Sequence, residues 1–176
     1  MIDINLREEL DALLDEYGHY VLLQRSSRRL RCRCWHEVRR EGDPNCPYCL
    51  GRGRVSRIER HKVRYSSGLS TIQRPMATTL SPVGPSWVDG KLFYFKHNVE
   101  VQTGDFIYEV GWSAKNKKKP THLISAYLIN DVYEYRGDNG RIEYKLASVR
   151  KETRNVTVKN IVLRALGPIE NYEIIS

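Results

Sequence analysis

The sequence predicts a mainly β fold: a small antiparallel barrel or sandwich with a short N-terminal helix and an inserted four-cysteine knuckle. Three observations carry that expectation. From residue 91 onward, stretches rich in Val, Ile, Tyr, Leu and Phe alternate with clusters of Asn, Asp and Gly. The turn Gly137-Asp138-Asn139-Gly140 is followed by Ile142, Tyr144 and Leu146 alternating with Glu143, Lys145 and Ala147, as in a hairpin feeding a half-buried strand. Two tight cysteine pairs, Cys32-x-Cys34 and Cys46-x-x-Cys49, stand eleven residues apart in an arginine-rich stretch.

Taken in chain order, residues 1–24 read as a helix and a first strand. Asn5 with Glu8 three residues on suggests a capping box over residues 5–17. Leu6, Leu10, Leu13, Leu14 and Tyr17 share one face, expected to pack on the domain or to dock a neighbouring subunit, and Gly18 is placed to end the helix in the left-handed conformation. His19 to Gln24 is a short apolar strand. Residues 25–64 form the basic cysteine module, ending in a strand at residues 57–64. Residues 65–90 follow as an extended irregular arm or loop. Within it, residues 66–88 hold three prolines and show no periodicity, yet include Leu69, Ile72, Met76, Leu80, Val83 and Trp87. A stretch like this either lies along another surface or folds over its own domain. Residues 91–176 form the β body, with strands expected at Lys91–His97, Phe106–Trp112, His122–Tyr135, Arg141–Val149 and Val156–Leu166.

Two cysteine pairs, each on a tight turn, can bring four thiolates to the corners of a tetrahedron of about 2.3 Å radius, the geometry of a closed structural zinc site. The expected ligands are Cys32, Cys34, Cys46 and Cys49, with His36 as a substitute for Cys34 the alternative. Arg31, Arg33 and Arg52 would favour thiolate over thiol. Disulfides are the competing reading, disfavoured in a reducing cytoplasm. Cys46-Pro47-Tyr48-Cys49-Leu50-Gly51-Arg52-Gly53 is similar to the Cys-x-x-Cys-x-Gly-x-Gly unit of the J-domain chaperones, which repeat it four times; one copy here points to a zinc turn rather than to chaperone activity.

The net charge of +8 is uneven. Residues 1–24 carry six acids against one arginine, and residues 25–64 carry thirteen Lys and Arg against four acids. Such a basic segment faces either a polyanion or an acidic protein, and Arg31, Arg33, Arg52 and Arg54 are its candidate partner contacts. Lys115, Lys117, Lys118 and Lys119, at an expected hairpin tip, are candidate nucleic-acid contacts, with a solvated loop as the plain alternative. No nucleophile elbow, phosphate-binding loop, dinucleotide fingerprint or metalloprotease helix is written in the sequence. A four-thiolate zinc has no open position to activate water, so the expectation is a non-enzyme. The acidic N-terminal stretch does not read as a signal peptide, and no run reaches the roughly 18 apolar residues of a membrane span.

The order of helix, apolar strand, basic Cys-x-Cys and Cys-Pro-x-Cys-x-Gly-x-Gly module, Arg57-Ile58-Glu59-Arg60-His61-Lys62-Val63-Arg64 strand, long loop and β body resembles the neck, or head-closure, proteins of tailed bacteriophages, in particular those with a zinc knuckle. Gly104-Asp105-Phe106-Ile107-Tyr108 is similar to a segment of their small barrel. The resemblance implies a head–tail connector of the virion: a homo-oligomeric ring joining the portal or adaptor to tail proteins, with packaged double-stranded DNA in its channel and assembly in the host cytoplasm. The alternatives are a zinc-ribbon nucleic-acid-binding protein and another virion component, such as a tail-completion or baseplate protein.

Overall fold

The protein is described by a computed structural model that covers residues 5–46, 48–67, 91–115, 119–137, 140–153, 162–165 and 171–175. Helix α1 (Leu6–Tyr17) is followed by β1 (His19–Arg31), two short strands β2 (Trp35–His36) and β3 (Glu41–Gly42), and β4 (Arg54–Ser67). Then come β5 (Lys91–Lys96), β6 (Phe106–Trp112), β7 (Pro120–Arg136), β8 (Ile142–Glu152), β9 (Val162–Ala165) and β10 (Asn171–Ile175).

Six of these strands close on themselves in the order β1-β6-β7-β8-β5-β4, with β4 pairing back to β1, and every pairing is antiparallel. The fold is thus the barrel of the two β architectures expected. Its wall does not begin at residue 91, however. β1 and β4, read from sequence as part of the N-terminal segment and the cysteine module, are two of its six staves. β10 adds to β4 at Glu59 and Ile58, and β9 pairs with β10.

Period-2 alternation sorts the wall residues. Val21, Leu23, Val63, Phe93, Phe95, Ile107, Ile129, Ala147 and Val149 are buried together as the barrel core. Polar groups continue the same inward faces at the two ends. Beyond Phe93, Lys91 pairs with Glu109 at 3.1 Å, and Tyr127 donates to the same carboxylate at 3.1 Å. Beyond Leu23 and Val63, Glu59 receives His61 at 2.8 Å and Arg25 at 3.4 Å. Burial opposes ionisation of Glu59, but the His61 hydrogen bond and the charges of His61, Arg25 and Arg57 outweigh it and hold the carboxyl below its ordinary range.

The helix departs from expectation in three ways. The Asn5 side chain makes no capping hydrogen bond; its carbonyl receives the Glu9 N–H instead. Gly18 is extended (φ −74°, ψ 151°), not left-handed. The chain must run straight from the helix into β1, where His19 already pairs with Val63. Glycine is needed there for space, since a Cβ would sit 2.3 Å from the Leu14 carbonyl oxygen. Finally, only Leu14 of the apolar face is buried, while Leu6, Leu13 and Tyr17 are exposed. Charged groups do much of the docking: Lys96 lies 3.6 Å from Asp11 and 3.4 Å from Asp15, and Arg7 lies 3.8 Å from Glu143.

Other strands run longer than their apolar cores suggest. β1 extends through Ser26–Arg31 and β4 begins at Arg54, because the two continue as a polar hairpin beyond the barrel. The expected arm, residues 66–88, starts on the end of β4 at Ser66 and Ser67 and otherwise lies outside the described residues, as do Lys117, Lys118, Asp138, Asn139 and the start of the Val156–Leu166 strand. Lys115 and Lys119 are exposed between β6 and β7, where the Ser113 N–H donates to the Lys119 carbonyl at 3.0 Å.

Candidate metal centre

The cysteine module is the tip of the β1–β4 hairpin. Past the irregularity after Ser26, Arg31 pairs with Arg54 and the Cys32 N–H donates to the Gly53 carbonyl at 3.0 Å, so the module starts and ends on one rung. Between these points β2 and β3 form a two-rung hairpin, Trp35 opposite Gly42 and His36 opposite Glu41. Its backbone presses on the second cysteine turn: a Cβ on Gly42 would lie 2.4 Å from the Gly53 Cα, and one on Gly53 would lie 2.6 Å from the Trp35 ring. Gly53 and Gly51 also need positive φ, at 68° and 78°.

In the second turn, Leu50 N–H donates to the Cys46 carbonyl at 2.9 Å and Arg52 N–H to the Cys49 carbonyl at 3.0 Å. The Gly53 N–H then points back at the Cys49 Sγ, 3.2 Å away. Pro47 lies outside the described residues.

These turns bring all four sulfurs within 4.8 Å of one another. Cys32 and Cys46 Sγ are 3.8 Å apart, and Cys34 and Cys49 Sγ are 3.4 Å apart. A disulfide requires about 2.05 Å, and all four cysteines are free. A tetrahedron of 2.3 Å radius has edges of about 3.8 Å, so the cluster has the size that a four-thiolate metal site demands. Cys32, Cys46 and Cys49 are buried and Cys34 is partly so, which leaves the set closed rather than open to solvent. Crowded thiols resist ionising together. Burial, then the neighbouring Cys49 and Cys46 thiols, push Cys34 far up, and burial also raises Cys49. Burial opposes ionisation of Cys46 too, but backbone N–H donation at Cys49 and the Cys34 thiol bring it below its ordinary value. A divalent cation at the centre would remove that conflict.

His36 is exposed and its Nδ1 accepts the Arg39 N–H at 3.3 Å, so it takes no place beside Cys34 in the cluster. The arginines divide. Arg31 pairs with Glu37 at 2.6 Å and lies over the Trp35 ring. Arg52 turns to the barrel, 4.0 Å over the Phe106 ring and donating to the Gly104 carbonyl at 2.7 Å. Arg33 and Arg54 are exposed.

Sequence reasoning missed what fastens the knuckle to the barrel. Gln24, fully buried, donates to the Cys49 carbonyl at 2.7 Å and to Ser56 Oγ at 2.9 Å, and accepts the Tyr108 hydroxyl at 2.6 Å. Leu50 inserts beside Leu22, Ile58, Phe106 and Tyr108 on the outer face of the wall. The lone glutamine closing an apolar run was the only hint.

A scan against protein-family models finds no match for this chain, and a search of curated proteins finds none either.

Proposed function

We propose that the chain is a structural, non-catalytic subunit of a tailed-bacteriophage virion, a neck or head-closure connector between portal and tail. In this reading Cys32, Cys34, Cys46 and Cys49 hold one zinc ion in a closed site that shapes the knuckle. The metal supplies cross-linking there; Gln24, Leu50 and Arg52 tie the cross-linked tip to the wall. One observation carries the connector role. Strand β4 joins two features at its opposite ends: the cysteine tip at Arg54, and the roots of the 68–90 segment at Ser67, which faces Lys91 on one rung. At about 3.3 Å per residue those ends stand roughly 40 Å apart, which suits a subunit that engages different neighbours at its two poles.

The reading is tested on particles. Purified virions should contain several copies of the chain at the head–tail junction, each with one zinc by elemental analysis. Deletion should give heads that leak DNA and tails left unattached. Normal infectious particles without the chain would overturn the connector role, and protein purified without metal would overturn the zinc site. A monomeric zinc-ribbon nucleic-acid-binding protein is the second reading, favoured by exposed Arg29, Arg33, Arg39 and Arg40 around the tip. Tight duplex-DNA binding, with affinity falling steeply as salt rises, by a chain that stays monomeric would select it.

A further inference from the structure

Two surfaces of this chain complement each other, and no ion pair among the described residues joins them. The first is the outward face of α1. At 100° per residue Leu6, Leu13 and Tyr17 fall within about 40° of one another. They are 49%, 37% and 63% exposed, with Glu9 and Glu16 beside them on the same outward side. Among the described residues, no basic group pairs with the side chains of Glu8, Glu9 or Glu16, whereas Asp11 and Asp15 are engaged by Lys96. The second surface is the knuckle. Val38, 87% exposed, tips the β2–β3 hairpin next to Arg39 and Arg40, and Leu30, 61% exposed, stands beside Arg29. No described carboxylate pairs with Arg29, Arg33, Arg39 or Arg40.

The helix meets β4 at Lys62, whose Nζ donates to the Asp15 carbonyl, and the knuckle begins at Arg54. Eight residues of strand separate them by about 26 Å, well beyond the roughly 8–10 Å over which surface charges act at physiological salt. Among the described residues neither these acids nor these arginines have a partner of opposite charge, and another molecule can supply one. A phosphate backbone would satisfy the arginines but has no use for Val38 and Leu30, nor for the leucine and tyrosine stripe of α1.

We propose that α1 of one copy docks on the knuckle of the next, its Leu6-Leu13-Tyr17 stripe against Val38 and Leu30 and its Glu9 and Glu16 against the surrounding arginines. The contact joins two different patches, so it is head-to-tail, the kind that propagates into a closed ring or an open filament. It rests on the connector reading for its biological setting and supplies the subunit contact that a ring requires.

Sedimentation velocity on the zinc-loaded full chain tests it with two charge-reversed variants. Wild type should self-associate, more weakly as salt rises. Glu9→Lys/Glu16→Lys and Arg29→Glu/Arg39→Glu should each lose self-association by about 100-fold or more, because like charges then face each other. Mixing the two should restore assembly, since each reversed helix now faces a reversed knuckle; neither a misfolded variant nor a generic charge effect can give that rescue. Leu13→Ser should weaken assembly with no change in charge. A wild type that stays monomeric, or variants that assemble like wild type, would overturn the proposal. So would an arginine variant that loses duplex-DNA binding with its mass unchanged, which assigns the patch to nucleic acid. Virions that carry the chain at the neck while assembly survives both reversals would keep the connector role and remove this contact alone.

Discussion

Cys46→Ser is expected to abolish stoichiometric metal binding and to unfold the whole hairpin extension, not the knuckle alone. A closed four-cysteine zinc contributes about 10–16 kcal/mol in isolated finger peptides, comparable to the entire stability of an ordinary domain. The damage spreads because the knuckle is bolted inward. Once the second turn opens, the Cys49 carbonyl leaves Gln24, a fully buried amide that then keeps only Ser56 Oγ of its two acceptors. Leu50 leaves its place against Leu22 and Ile58, and Arg52 leaves the Phe106 ring. Metal content, thermal melting and amide exchange along β1 and β4 together read this out. A variant that melts with wild type and keeps its metal would show that Cys46 is no ligand.

Phe93→Ala is expected to destabilise the barrel by about 3–5 kcal/mol, through lost burial and the cavity left behind. Phe93 is fully buried, pairs with Ala147 across β8, and its ring meets those of Tyr127 at 5.5 Å and Tyr65 at 6.0 Å. It sits one step inside the Lys91–Glu109 pair, and the His19 ring lies 6.5 Å from its own. For a chain of this size the melting temperature should fall by roughly 10 °C. Below that temperature the metal should stay bound, since Phe93 is no part of the outer cluster around Leu50. A shift under about 2 °C would mean that the core relaxes around the gap. Metal loss in step with the shift would mean that barrel and knuckle unfold as one.

The contrast between these two sites follows what a sequence can and cannot carry. β6 was readable to the residue as Phe106–Trp112, because a strand buried on much of both faces shows as an apolar run, interrupted here only by Glu109 and Gly111. The cysteines were readable because paired spacing on tight turns serves few purposes. The far half of β1 was not: Arg25-Ser26-Ser27-Arg28-Arg29 has no apolar face to betray it, and its strand form comes from pairing with β4, Ser26 opposite Ser56. Gln24 was opaque for the same reason, since its partners lie 25, 32 and 84 residues away. The α1 stripe was visible, but an apolar stripe does not say what covers it, and here the chain itself covers mainly Leu14.

The single rung that begins and ends the knuckle also orders events in time. Arg31 and Arg54 are 23 residues apart, whereas the rung that seats β1 against β6, Leu23 with Ile107, must close a span of 84. Shorter loops close at lower entropic cost, so the β1–β4 ladder can form while β6 is still being searched for. A metal held at the tip would fix which residue faces which along that ladder. A slip of one position would turn Val21 and Leu23 outward before any barrel existed to reject the error. Pulse-labelled exchange should accordingly protect the Leu22 and Ile58 amides before that of Ile107. An ion bound there would then act as a starter for the fold, choosing the register into which the later strands are laid.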